Sequence, residues 1–377
     1  MLDWVRRRFE LARGGGGHNV LPMEGLRGFA VFLVFLVHYV TLVEPWISKH
    51  SGLLALAGAL HTIGNTGVDL FFVLSGYLIY GSLIPRRQNF FRFMTRRVER
   101  IYPAFLAVFG VYLLLSFVFP NESKIPGPSQ EAIIYLLQNF FLLPGLFPIQ
   151  PMITVAWSLS YEMFYYLAIP LVIVVFRLRA RTAAWRTGFF CTVAVAILGS
   201  AVLFEGPVRL VMFISGILLC EAMGRTQVPI PNGMLACLTL VLGFLATLLP
   251  LPGQSGFALK ILFLSLVFFV LCFACFREPS GWLPRSFSWT PLRWLGNMSY
   301  SYYLLHGLAL KAAFFGLPIL MPPGQNGPWI FWGLLPLMFI VTLGASAVLF
   351  IAVERPFSLA PRRATGNEAV ELGEQRA

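Results

Sequence analysis

Apolar residues in this chain run in long blocks, not in alternation or on one face of a soluble helix. After about twenty polar, glycine-rich positions, ten apolar stretches follow. They lie near 28–45, 63–84, 99–119, 153–176, 187–204, 208–223, 232–250, 257–276, 293–316 and 329–353. Each approaches the ~20 residues that a membrane-spanning helix needs. The sixth is short and is separated from the fifth only by the turn Glu205-Gly206-Pro207. A further apolar segment, 131–147, is interrupted by Glu131, Gln138, Asn139 and Pro144. It reads as an interfacial or re-entrant segment. The pattern therefore predicts an all-α polytopic membrane protein with about ten transmembrane helices. A polar N-terminal tail (1–20) precedes a membrane domain (21–357), and a disordered polar tail (358–377) follows it. A short amphipathic helix is expected over residues 2–12.

Composition supports this division. Of 377 residues, 58% are hydrophobic and 12% charged, against about a quarter charged in soluble domains. That excludes a disordered chain and a small disulfide-stapled module. The five cysteines lie in apolar stretches with no metal-ligand spacing, so no metal is expected. The net charge of +12 would suggest nucleic acid in a soluble protein. Here it follows topology, and no nucleic acid partner is expected. With the N-terminus inside, 21 Lys or Arg fall on the inner side, against Lys49, Lys124, Arg209, Lys260 and Lys311 on the outer. The positive-inside rule then puts both termini in the cytoplasm. An integral protein of a bacterial inner membrane, in contact with membrane lipids, is the expected setting.

Ionisable groups inside spans are costly and functional by default. The first span contains Arg27 and His38, eleven residues apart. On a helix they share a face and are separated by ~16 Å of rise. The second span carries Asp69, which needs a cationic partner on a neighbouring helix. Between the second and third spans, QNFFRFMTRRVERIYP places Arg92, Arg96, Arg97 and Arg100 within nine residues. Forked guanidinium groups suit phosphates, so a ligand there is expected to be anionic and cytoplasmic. In WSLSYEMFYY, Glu162 lies at or below an aromatic belt of the fourth span, toward the outer half. The ninth span carries Asn297, Ser299 and a second intramembrane histidine, His306. Glu354 closes the tenth.

These blocks, LRGFAVFLVFLVHY, GVDLFFVLSGYLI, FFRFMTRRVERIYP, WSLSYEMFYY, LGNMSYSYYLLH and VERPF, resemble in order and spacing the acyltransferase-3 family of integral membrane O-acyltransferases. The resemblance covers roughly residues 20–357. Two features depart from it: Tyr161 replaces a small aliphatic before the glutamate, and no periplasmic hydrolase-like domain is read after the last span. The resemblance implies transfer of an acyl group, usually acetyl, from cytoplasmic acyl-CoA to a hydroxyl of a sugar-containing or lipid-linked acceptor. It also implies that Arg27 and His38 form a catalytic pair, and that Arg97 and Arg100, with Arg96 beside them, bind the donor. Acyl transfer from a thioester needs a base for the hydroxyl proton, and histidine is best poised for it near neutral pH. Asp69 and Glu162 are expected to share an outward cavity with His38. The other reading left open is a proton-coupled transporter of a small anionic solute, against which stands the lack of a convincing internal repeat.

Overall fold

A computed structural model describes residues 2–11, 20–47, 52–85, 87–127, 129–324 and 327–359. The N-terminal glycine run, residues 14–17, and the tail beyond residue 359 lie outside these residues. The helices, in chain order, are α1 (Leu2–Phe9), α2 (Val20–Val43), α3 (Gly52–Leu83), α4 (Phe90–Val118), α5 (Ser129–Phe140), α6 (Trp157–Val175), α7 (Ala183–Phe204), α8 (Leu210–Met223), α9 (Gly233–Leu248), α10 (Gly253–Arg277), α11 (Trp282–Phe287), α12 (Thr290–Asn297), α13 (Ser299–Leu320) and α14 (Trp329–Leu349). A π-helical segment, Phe350–Ser358, continues α14. No β-strand occurs among the described residues. The fold is that of an all-helical integral membrane protein.

Among the described residues, eight helices are long and apolar enough to cross a membrane. The expected sixth and seventh spans correspond to α8 and α9, apolar helices of 14 and 16 residues. Side chains such as Phe117 and Ile319, 85% and 87% exposed, lie on the outside of the bundle, where lipid would cover them. Segment 131–147 is a twelve-residue helix, α5, followed by turns, too short to span.

Several boundaries differ from the hydropathy reading. The second helix begins eleven residues early, at Gly52. The arginine-rich segment read as a loop is helical. The side chain of Asn89 accepts from the backbone N–H groups of Phe91 and Arg92 at 2.9 and 3.3 Å. That cap starts α4 before its arginines. The ninth span starts at Ser299, and Asn297 belongs to the separate short helix α12.

Inside lipid, helices gain little from hydrophobicity alone and associate through close packing at small residues. Two glycine pairs bring helices together here. A β-carbon on Gly76 of α3 would stand 2.1 Å from the Phe213 carbonyl oxygen, and one on Gly216 of α8 would stand 2.0 Å from that of Val73. Gly28 of α2 and Gly296 of α12 are matched in the same way, against Leu292 and Glu24. The apolar interior divides into two clusters. One is built on α3, α4, α6, α8 and α10 and includes Tyr303. The other is built on α2, α13 and α14 and includes Tyr302. Helix α13 thus faces both.

Under one end of the bundle lies α1. Arg293 donates to Glu24 at 3.0 Å and also pairs with Glu10. Trp294 Nε1 donates to Glu10 at 3.0 Å and Asn297 donates to the Phe9 carbonyl at 3.0 Å. The Phe9 ring stacks on Phe350. Burial raises the cost of charge on Glu10, but the hydrogen bonds from Trp294 and Arg293 outweigh it and hold this carboxyl below its usual range.

Candidate active site

Two cavities lie one after the other along α13. The smaller, about 130 Å³, is lined by Arg27 of α2, Ser75 of α3, Arg97 and Arg100 of α4, Glu162 and Tyr166 of α6, and Ser299 and Tyr300 of α13, among others. The larger, about 500 Å³, is lined by His38 and Thr41 of α2, Tyr112 and Ser116 of α4, Thr154 and Val155 before α6, and Leu304, Gly307 and Lys311 of α13. Helices α2, α4 and α13 enter at the arginine end and run toward the histidine end. Helix α6 runs the opposite way.

In the arginine cavity, Arg27 donates from Nε and Nη2 to Ser299 Oγ at 3.2 and 2.9 Å. The Arg97 guanidinium lies over the rings of Phe93 and Tyr166, 5.0 and 5.1 Å from their centres. It also reaches Ser82 Oγ at 3.5 Å. Tyr166 donates its hydroxyl proton to Glu162, and Ser75 lies 3.5 Å from the same carboxylate. Arg100 forms a 2.8 Å ion pair with Glu354. The backbone N–H and the hydroxyl of Ser301 donate to the second oxygen of Glu354, at 3.0 and 2.5 Å. Three guanidinium groups therefore face one lining carboxylate, and each of them is held by a partner. Arg96 is exposed and lines neither cavity.

At the histidine end, His38 and His306 meet edge to face, ring centres 4.9 Å apart. His306 is fully buried and its Nδ1 lies 2.8 Å from the carbonyl of Tyr302, one turn back. A carbonyl only accepts, so Nδ1 carries the proton and Nε2 keeps its lone pair. The mouth of this cavity carries Lys311 and Glu122, paired at 2.6 Å and both more than half exposed. Lys124 donates to the carbonyl of Pro151 at 2.9 Å and to Thr154 Oγ1 at 3.2 Å. Burial, and second the Lys311 ammonium, hold Lys124 below the usual lysine range.

The structure divides the residues singled out in the sequence. Arg27, Arg97, Arg100 and Glu162 come together; His38 faces the other cavity. Arg27 and His38 share a face of α2 as their spacing predicts, but on that face they line different chambers. Glu162 does not share an outward cavity with His38. It lies five residues into α6 from Trp157, far enough along the helix to reach the arginines. Asp69 lines neither cavity. It is 1% exposed and lies 3.5 Å from Arg209, whose guanidinium covers Trp157 at 5.5 Å. The cationic partner expected for Asp69 exists, at a helix-packing contact. Glu354 and His306 were visible as intramembrane ionisable residues, but nothing in their spacing indicated their partners.

A helical membrane bundle whose first span carries Arg27 and His38, and whose next helices supply the arginine cluster, has the layout expected of a membrane acyltransferase. The chain belongs to the acyltransferase-3 family: the family model, described as an acyltransferase domain, matches residues 22–351. A Bacillus subtilis relative with a provisional peptidoglycan O-acetyltransferase name is 27% identical, over 90% of this chain and 55% of its own length. The peptidoglycan O-acetyltransferase OatA of Listeria monocytogenes is 25% identical, over 76% of this chain and 49% of its own. An O-acetyltransferase OatA of Staphylococcus aureus is 26% identical, over 75% and 49%. The chain thus spans about half the length of the curated relatives it matches. No solved structure matches it.

Proposed function

We propose that the protein is an inner-membrane O-acetyltransferase that moves an acetyl group from cytoplasmic acetyl-CoA to a hydroxyl of a carbohydrate or glycoconjugate. The observation that carries this reading is the end-to-end placement of an arginine cavity and a histidine cavity along the same three helices, α2, α4 and α13. The donor is an anion with a long, thin reactive arm. The acceptor is a neutral hydroxyl that needs a base. One chamber has the chemistry for each.

On this reading the CoA phosphates meet Arg97 and Arg100 at the cytoplasmic end. A chamber of about 130 Å³ suits the thin pantetheine arm, not the nucleotide, which stays outside. Arg27 acts on the donor side, because its ~16 Å separation from His38 along α2 is too long for joint contact with one reacting carbonyl. Glu162 keeps Tyr166 and Ser75 in place beside Arg97. Arg96 contributes only diffuse charge.

In the larger chamber His38 takes the proton of the acceptor hydroxyl. The hydroxyl oxygen attacks the thioester carbonyl carbon, the tetrahedral intermediate collapses, the C–S bond breaks, and CoA leaves as a thiolate that takes up the proton held by His38. The products are an O-acetyl ester and free CoA. The O-acetyltransferase names of the relatives support the reaction class, and a glycan hydroxyl is the acceptor class they suggest. The experiment is acetyl-CoA consumption by the purified protein in lipid nanodiscs, with and without glycan fragments, and mass spectrometry for a gain of one acetyl group. No acceptor-dependent consumption, together with proton-coupled anion uptake in vesicles, would replace this reading with the transporter.

A further inference from the structure

The two chambers are lined by separate residues and approach each other at Tyr303. Tyr303 lines the arginine cavity, while the next residue, Leu304, and Gly307 one turn further line the histidine cavity. The Tyr303 and Ser158 hydroxyls are 2.7 Å apart, and each lies 3.1 Å from the carbonyl of Val155. Ser158 belongs to the arginine chamber and Val155 to the histidine chamber. Two protons serve this triangle: one hydroxyl donates to the carbonyl and the other donates to the first hydroxyl. The Tyr303 ring meets Phe71 edge to face at 6.0 Å and is 7% exposed. Along α13, Ser299, Tyr303, Gly307 and Lys311 follow at intervals of four, so they fall on one stripe of the helix. In order along it are the partner of Arg27, the hydroxyl contact, the wall of the histidine chamber and its mouth.

We infer that Tyr303, closed on Ser158 and Val155, is the seal between the donor and acceptor chambers and sets whether the acyl group meets an acceptor or water. This rests on the transferase reading for its catalytic meaning, but the seal itself is a matter of access. A continuous polar path from the arginine mouth to the Lys311 mouth would let ions and water cross the membrane. It would also expose the thioester to solvent from the acceptor side. The contact is made of hydroxyls on two helices and one carbonyl, so it opens by a change of the Tyr303 side chain alone, with no helix broken. An entering pantetheine arm takes the place of the phenol ring.

Access is measured directly with Gly307→Cys in a background whose five native cysteines are replaced by alanine. A side chain at Gly307 meets open space. A charged, membrane-impermeant methanethiosulfonate reagent is applied to reconstituted vesicles from one face at a time. With Tyr303 intact, labelling is expected from the Lys311 face only. Adding Tyr303→Ala should raise labelling from the arginine face at least tenfold, and Tyr303→Phe, which keeps the ring, should raise it less. Acetyl-CoA hydrolysis without any acceptor should rise in the same order. Retained labelling from the Lys311 face reports that each variant is folded. If Tyr303→Ala leaves arginine-face labelling unchanged while Lys311-face labelling persists, Tyr303 is not the seal. If labelling behaves as expected but the unsubstituted protein transfers no acetyl group to any glycan, the seal stands and the transferase reading falls.

Discussion

The arginine chamber and the histidine chamber are built on the same helices, yet they are held together differently. Around Arg27, Arg97 and Arg100, nearly every polar atom named has a partner: Ser299, Ser82, Glu354, and the Tyr166–Glu162 pair. The histidine chamber is nearly four times larger and its walls are mostly apolar. His306 keeps a lone pair with no partner, and the charged groups sit at the exposed mouth. A small slot with paired charges suits one fixed ligand. A roomy chamber with one lining imidazole suits a variable one. If the comparison holds, damage at the histidine end should cut turnover, and damage at the arginine end should weaken donor binding.

The largest effect is expected from His38→Ala, which removes the base. Turnover should fall about 10²–10⁴-fold with donor binding and melting temperature little changed. Near-normal turnover would take the chemistry away from this chamber. Next come Arg97→Ala and Arg100→Ala. Each lost charge-assisted contact is worth about 1.5–3 kcal/mol, so KM for acetyl-CoA should rise by roughly ten- to a hundred-fold while kcat moves less. Glu354→Gln, which frees Arg100 without deleting it, should shift KM in the same direction by a smaller factor. Arg96→Ala, outside the cavity, should have little effect, and a KM change equal to that of Arg97→Ala would refute the assignment of faces on α4.

Asp69→Asn tests a residue the comparison leaves out of both chambers. Breaking a buried pair costs up to about 3–5 kcal/mol. The Arg209 side chain is 19% exposed and the pair is long, at 3.5 Å, so a smaller loss is expected. The variant should melt earlier yet turn over normally per folded molecule. Removing Arg209 as well should recover part of the loss, because no unpaired charge then remains. An active-site role would show instead as lost turnover at unchanged stability.

The smallest effect concerns pH. Glu10 is held below its unfolded value of about 4.5, so its contribution to docking α1 is complete above that value. It is lost as pH falls through the lower folded value. Hydrogen-exchange protection of residues 2–11 should be flat from neutral pH to about 5 and decline below it, and Glu10→Gln should remove that decline.

Much of this was legible in the chain. The apolar blocks located the helices, because spanning lipid imposes length and hydrophobicity directly. The eleven-residue spacing of Arg27 and His38 correctly put them on one face, since helix periodicity is local. The partition between them was not legible. It depends on Tyr303, Ser158 and Val155 meeting from distant parts of the sequence. Glu162 was misplaced because depth was judged from the aromatic belt, while the side chain's neighbours depend on how α6 packs against α4. The helix start at Asn89 was there to be read as a cap. The arginines that follow it read as a loop because their charge is the stronger signal.

The π-helical segment Phe350–Ser358 bears on how this protein tolerates change in length. A π-turn bonds residue i to i+5, so it amounts to one residue more than an α-turn holds. Glu354 reaches Arg100 and Ser301 from within that widened stretch. Deleting a single residue just ahead of it, such as Ala352, would let the segment relax to α-helical winding, and Glu354 would keep its angular position because the residue lost is the extra one. In an ordinary α-helical stretch the same deletion would swing everything after it by about 100°. The donor chamber should therefore tolerate one lost residue at this point far better than one lost within α14.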